Sequence, residues 1–143
     1  MKTFKIFQIN LTEAEVDVIN ETGDHFAVPK QAARLRLQLA SDNADELVNQ
    51  PFTDGFFLHV GNIRANDLEG VFEVGNIGPE ENIERFGPMH SVSTGDVILD
   101  EDGKFWLTAP VGFEEVRKLV PDMRFFEDEL VGPGVPDDIA WRV

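Results

Sequence analysis

The segment His90–Val116, HSVSTGDVILDEDGKFWLTAPVGFEEV, is the most regular stretch of the chain, and its reading decides the fold class. Ser91–Leu99 is strand-like, with Gly95-Asp96 placed for a bulge or tight bend. Asp100-Glu101-Asp102-Gly103 reads as a hairpin loop, because Gly103 can take the positive φ such a turn demands. Lys104–Ala109 is the return strand, with Phe105 and Leu107 on one face and Trp106 on the other. Pro110-Val111-Gly112 turns the chain. Phe113–Leu119 then predicts a short helix, acidic early and basic late, as the helix dipole favours. Strands joined by a tight turn point to an antiparallel sheet.

Working outward, Thr3–Leu11 (TFKIFQINL) alternates as a strand with both faces partly covered. Phe4, Ile6 and Gln8 share one side; Lys5, Phe7 and Ile9 share the other. Thr12 with Glu15 forms a capping box that opens a helix burying Val16 and Ile19. Pro29 suits a first helical position, and PKQAARLRLQLA after it carries a stripe of Ala32, Leu35 and Leu39. Ser41-Asp42-Asn43 ends that helix, and Asp45–Val48 adds one more turn before Pro51. Gly55–Arg64 (GFFLHVGNIR) is a second strand, expected to be central. Asn66 or Asp67 caps a helix that buries Leu68, Val71 and Phe72. Gly75–Gly78 is a loop, and Pro79 opens a further helix with Ile83 and Phe86 inward. After Pro121 the pattern weakens. The expectation is one α+β domain over residues 1–143, a small, mostly antiparallel sheet flanked by short helices, with 127–143 a loop-rich tail.

Composition narrows the function classes. There is no Cys, which excludes disulfides, thiol catalysis and Cys-ligated zinc. No apolar run approaches the ~20 residues of a membrane span, and the N-terminus lacks a signal-peptide core, so a soluble cytoplasmic protein is expected. The net charge is −15. It is uneven: residues 1–64 hold six basic and nine acidic residues, while 65–143 hold six and eighteen. Such a field repels phosphates, disfavouring direct nucleic-acid binding, and attracts basic surfaces.

Candidate chemistries are thin. His25, His59 and His90 share no metal-ligand spacing, and His59 inside an apolar strand reads as a satisfied sheet residue. Asp100–Gly103 lacks the spaced ligands and distal Glu of a calcium loop. Gly75-Asn76-Ile77-Gly78 lacks the Lys and Ser/Thr of a phosphate loop and precedes Glu residues. Neighbours His90 and Ser91 point to opposite sides of a strand, and His90 meets Ser93 only across a bend. Arg34 and Arg36 read as solvated helix surface. No catalytic, cofactor-binding or metal-ligating residue is assigned.

The residues His90–Ile98, Asp102–Trp106 and Gly112–Glu115, preceded by Leu68, Val71, Phe72 and Asn76, form a pattern that resembles small proteins of bacteriophages and plasmids with YodL-like domains. Its parts are a Ser-x-Ser-x-Gly-Asp-Val segment, a Gly turn, an aromatic strand and a late Gly-Phe. The resemblance implies a mobile-element accessory protein in a bacterial cytoplasm and carries no catalytic residues.

Together these readings lead to a non-enzymatic acidic protein that blocks a basic host or defence protein, itself nucleic-acid-binding, by imitating nucleic acid. Its partner-binding candidates are Glu69, Glu73, Glu80, Glu81, Glu84, Asp100, Glu101, Asp102, Glu127, Asp128 and Glu129. Two alternatives stand beside it. One is a structural or regulatory phage protein self-associating through Phe125, Phe126 and Trp141. The other is a small enzyme or ligand-binding domain at the Ser91–Asp96 bend and His90, which requires a concave pocket holding those groups together.

Overall fold

Alternation along the N-terminal segment produces strand β1, Lys2–Ile9, which buries residues on both sides. Phe4 and Ile6 enter one apolar cluster, and Phe7 and Ile9 enter another. A strand covered on both faces belongs in the middle of a sheet, and β1 lies there. In the computed structural model, which describes residues 1–39 and 44–117, six strands are ordered β3-β2-β1-β4-β5-β6. The others are β2 (Phe57–Ala65), β3 (Ile83–Arg85), β4 (Val97–Leu99), β5 (Phe105–Thr108) and β6 (Phe113–Val116). Every neighbouring pair is antiparallel. Four α-helices accompany this sheet among the described residues: α1 (Glu13–Thr22), α2 (Pro29–Gln38), α3 (Ala44–Thr53) and α4 (Leu68–Asn76). The expected α+β architecture is present.

The helices divide between the two faces. Ala33 and Leu37 of α2, with Ala44, Val48 and Phe52 of α3, pack on Phe7, Phe57, Leu99, Phe105 and Leu107. Phe52 touches Phe57 in a stack (centroids 5.0 Å apart) and Phe105 edge-on (5.5 Å). On the other face Val71 and Val74 of α4 pack on Ile6, Val60, Ile63 and Ile98. Gly75 sets the closeness of that approach: a Cβ there would lie 2.3 Å from a Val92 methyl.

β2 is central, as expected, but its alternation is interrupted. The register steps from Ile6–Gly61 to Phe7–His59, so Val60 has no partner of its own. This bulge lets Leu58 and Val60 face the same cluster as Ile63 and Ala65, although the two pairs differ in parity.

Several local expectations are corrected. Residues 79–86 do not form a helix; a single 3-10 turn at Glu80–Asn82 leads into β3. The first-turn glutamates favoured a helix, but the β2 edge captured Ile83–Arg85 instead. Gly61 permits this, since a Cβ there would lie 2.5 Å from the Glu84 carbonyl oxygen. Phe113–Val116 is likewise the strand β6, paired to β5 from Phe105–Val116 to Thr108–Phe113. The turn before it closes with Ala109 N–H on the Gly112 carbonyl, and Gly112 has φ 76°. A free strand edge two residues beyond a tight turn outweighed the weak dipole preference. Asp45–Val48 is part of a full helix that carries Pro51 in its last turn.

Helix faces also shift. The capping box of α1 is present, but only Ile19 is buried and Val16 is exposed. α2 buries Ala32, Ala33 and Leu37 rather than the Leu35–Leu39 stripe, with Leu39 exposed. Asp67 is the cap of α4, which buries Val71 and Val74 while Phe72 stays exposed. The expected break at 41–43, the tail 127–143, and the candidates Glu127, Asp128, Glu129, Phe125, Phe126 and Trp141 lie outside the described residues.

Candidate functional site

Three acidic segments far apart in sequence meet at one end of the sheet, where β1 begins and β2 ends. Lys2 pairs with Ala65, which places Asp67 and Glu69, at the start of α4, beside the N-terminus of β1. Arg64 donates to the Glu81 carbonyl at 3.0 Å, tying the 80–84 segment to the same end. Thr3 N–H donates to Glu101 Oε2 at 2.8 Å, tying in the β4–β5 hairpin tip. From β3 to β5 are four strand spacings of about 4.8 Å, so these carboxylates span roughly 20 Å.

Within this group the residues differ. Glu69, Glu73, Glu81, Glu84, Glu101 and Asp102 are exposed. Glu73 lies one turn further along α4. Glu84 Oε1 accepts from Asn62 at 3.2 Å. Glu80 is gripped by the Arg85 guanidinium, whose hydrogen bonds hold its carboxyl below the usual range. Asp100 is absorbed by the hairpin. Its Oδ1 accepts from Asp102 N–H and Lys104 N–H, and its Oδ2 from Trp106 Nε1, all at 2.9 Å. Both its oxygens are therefore committed to the turn. Lys2, Arg64, Arg85 and Lys104 lie among these acids and offset part of the negative field.

The opposite end of the sheet holds a buried polar cluster, of which the sequence marks the His90 and Ser91–Asp96 side but not the link to Gln8. Gln8, fully buried on the apolar side of β1, reaches the His90–Asp96 segment. Its Nε2 donates to the His90 carbonyl at 2.9 Å and to Asp96 Oδ2 at 3.0 Å, and His90 N–H donates back to its Oε1 at 3.2 Å. Ser93 N–H also donates to Asp96 Oδ2, at 2.9 Å. Asp96 N–H bonds the Ser93 carbonyl, closing the bend, and the Asp96 carbonyl accepts from Thr108 N–H of β5. Burial pushes the Asp96 carboxyl up to about 7, against the Ser93 and Gln8 hydrogen bonds and the Arg34 charge, which pull it down. Burial also lowers the His90 imidazole, its hydrogen bond to the Ser91 carbonyl opposes this, and Arg34 lowers it further.

A small open cleft lies over this cluster, lined in part by Arg34, His90, Ser93, Thr94 and Asp96. The bend at Thr94-Gly95 thus brings His90 and Ser93 to one opening, the concavity that the Ser91–Asp96 alternative required. Arg34 is half-buried here rather than a freely solvated helix residue. The Ser91–Asp96 bend and His90 were legible as a candidate; Gln8, a polar residue in phase with Phe4 and Ile6, was the part of the site not read from the sequence.

His59 is a satisfied sheet residue. Its Nε2 bonds Asn62 Oδ1 at 2.8 Å, and its ring stacks on Phe7 and meets Phe86 edge-on. Among the described residues no group of three or more His, Asp and Glu is arranged to hold a metal ion. No helix among them is long and apolar enough to cross a membrane. No family model matches the chain, and neither a curated protein nor a solved structure matches it.

Proposed function

We propose that this chain is a non-enzymatic acidic binding protein that occupies and blocks the basic, nucleic-acid-binding surface of another protein. The observation that carries the reading is the convergence of the 67–69, 80–84 and 100–102 segments on one end of the sheet. Rigid elements hold these carboxylates apart at separations set by strand spacing, so they present a fixed array of negative charge. A basic groove built for phosphates gains long-range attraction to such an array, and the attraction is screened by salt. The setting, a phage or plasmid acting against a bacterial host or its defences, rests on the sequence resemblance alone.

The test is capture from bacterial lysate on the immobilised chain at low and high salt. A parallel column carries the triple variant Glu69→Gln, Glu81→Gln, Glu101→Gln. The expected result is enrichment of nucleic-acid-binding proteins that the triple variant does not retain and that salt releases. If the captured set ignores both salt and the neutralised charges, the reading fails.

A further inference from the structure

The cleft at the Asp96 end is independent of the acidic array and rests on different observations. Asp96 is nearly sealed from solvent, 5% exposed. Both protein hydrogen bonds to its carboxyl go to Oδ2. Oδ1 takes none among the described residues, yet it is not one of the fully enclosed polar atoms without a partner. It keeps access to the outside through the cleft that Asp96 lines. Holding the bend together needs only Oδ2, so that structural role leaves Oδ1 unexplained.

The groups around Oδ1 define what could pair with it. The Arg34 guanidinium, on the α2 wall, has one long hydrogen bond, 3.5 Å to Gln31 Oε1, and retains further N–H donors. His90 Nδ1 sits 2.8 Å from the Ser91 carbonyl, which can only accept, so Nδ1 carries the proton. In the neutral ring Nε2 is then a bare acceptor. Ser93 and Thr94 also line the cleft. The cleft therefore offers acceptors at Asp96 and His90 and strong donors at Arg34. Its carboxylate and guanidinium charges already offset each other. An anion entering it meets Asp96, and a cation meets Arg34. The space it offers a ligand is small, about 10 Å³, room for roughly one water-sized group. It admits the edge of a molecule rather than the whole.

We propose that this cleft is a binding site for a neutral planar ligand presenting a carboxamide or lactam edge, its N–H donating to Asp96 Oδ1 and its carbonyl accepting from Arg34. A donor and an acceptor on one flat edge pair in kind with the two protein groups without adding charge. The remainder of the ligand extends through the open side past Ser93 and Thr94.

Three probes of one shape and different charge decide the point: acetamide, acetate and acetamidinium. Each is titrated into the full chain at pH 8, where Asp96 is ionised, and followed by amide NMR. Acetamide is expected to shift the Ser93, Thr94 and Gly95 amides saturably, with both charged probes at least about tenfold weaker. Asp96→Asn keeps an oxygen to accept from Gln8 and Ser93 but turns the open acceptor into a donor. That variant is expected to keep a folded spectrum and lose about tenfold in acetamide affinity. Arg34→Gln, on a half-buried helix position, provides a second reading of the same loss if Asp96→Asn disturbs the bend. The proposal is overturned if acetamide gives no saturable shift, if a charged probe binds best, or if the variants bind acetamide as the native chain does.

Discussion

The two ends of the sheet treat the carboxylate in opposite ways. At the end where β1 begins, carboxylates are many, mostly exposed and loosely held. At the other end a single carboxylate, Asp96, is buried and bound by Gln8 and Ser93. Exposed acids cost little and add little to stability, because water solvates them and salt screens them. A buried acid is expensive when charged, and the fold depends on the groups around it. One end is thus a surface whose charges can be changed almost freely. The other is a junction where one atom matters to the packing of β1, β5 and the 90–96 bend.

The largest expected consequence is in pH dependence. The folded-state pKa of Asp96 lies near 7, above its ordinary 3.8. The folded chain therefore holds this proton longer than the unfolded chain. Its contribution to stability is complete below about pH 4 and is lost as pH rises through about 7. At about 1.4 kcal/mol per pH unit, the loss is on the order of 4 kcal/mol. Glu15 acts in the reverse sense. Its pKa is lowered, with burial opposing and the Thr12 backbone hydrogen bond and Lys30 charge prevailing, so its contribution is lost as pH falls. Denaturant melts at pH 4.5 and pH 8, on native chain and Asp96→Asn, separate the two. The native chain should lose more stability than the variant over this interval. Equal losses in both would break the contrast between the ends.

Next in size is Gln8→Leu. The change removes both donors to the His90 carbonyl and Asp96 Oδ2 and the acceptor for His90 N–H. Unpaired buried polar groups cost about 1–3 kcal/mol each, and the new methyls recover part of that. A net destabilisation of about 3 kcal/mol is expected by urea unfolding. At the acidic end the counterpart is Asp100→Ala, which frees Asp102 N–H, Lys104 N–H and Trp106 Nε1. Those donors are exposed or half-buried and water can replace the carboxylate, so about 1–2 kcal/mol is expected. A larger loss from Asp100 than from Gln8 would reverse the ranking of the two ends.

What was legible in the sequence follows the range of the interactions. The β4–β5 hairpin, the Thr12–Glu15 capping box and the two-sided β1 are written in neighbouring residues, and each is present. β3 and β6 were read as helices because Glu80, Glu81, Glu114 and Glu115 are local helix-start signals, whereas their strand pairing is decided by edges contributed from elsewhere. The Asp96 site depends on Gln8, 88 residues away in sequence. The Ser91–Asp96 bend and His90 stand out locally, but no periodicity reaches far enough to join Gln8 to them. The bulge at Val60 is similar: its cause is the need to keep Leu58 and Ile63 on one face, which no local pattern states.

The smallest stability effect is the most useful for the acidic end. Replacing Glu69, Glu81 and Glu101 with Gln leaves Thr3 N–H an acceptor at position 101 and does not touch the Glu81 carbonyl that Arg64 uses. Each change removes one exposed charge from a chain of net charge −15, relieving repulsion as well as losing weak attraction to Lys2 and Arg64. Unfolding free energy should move by less than about 0.5 kcal/mol per site, in either direction. Binding to a basic partner should respond far more, through association rate and its salt dependence, because the array acts as a field rather than as contacts. A triple variant that unfolds normally but associates with flattened salt dependence would separate the two ends cleanly: exposed charges that act as a field at one, buried hydrogen bonds at the other.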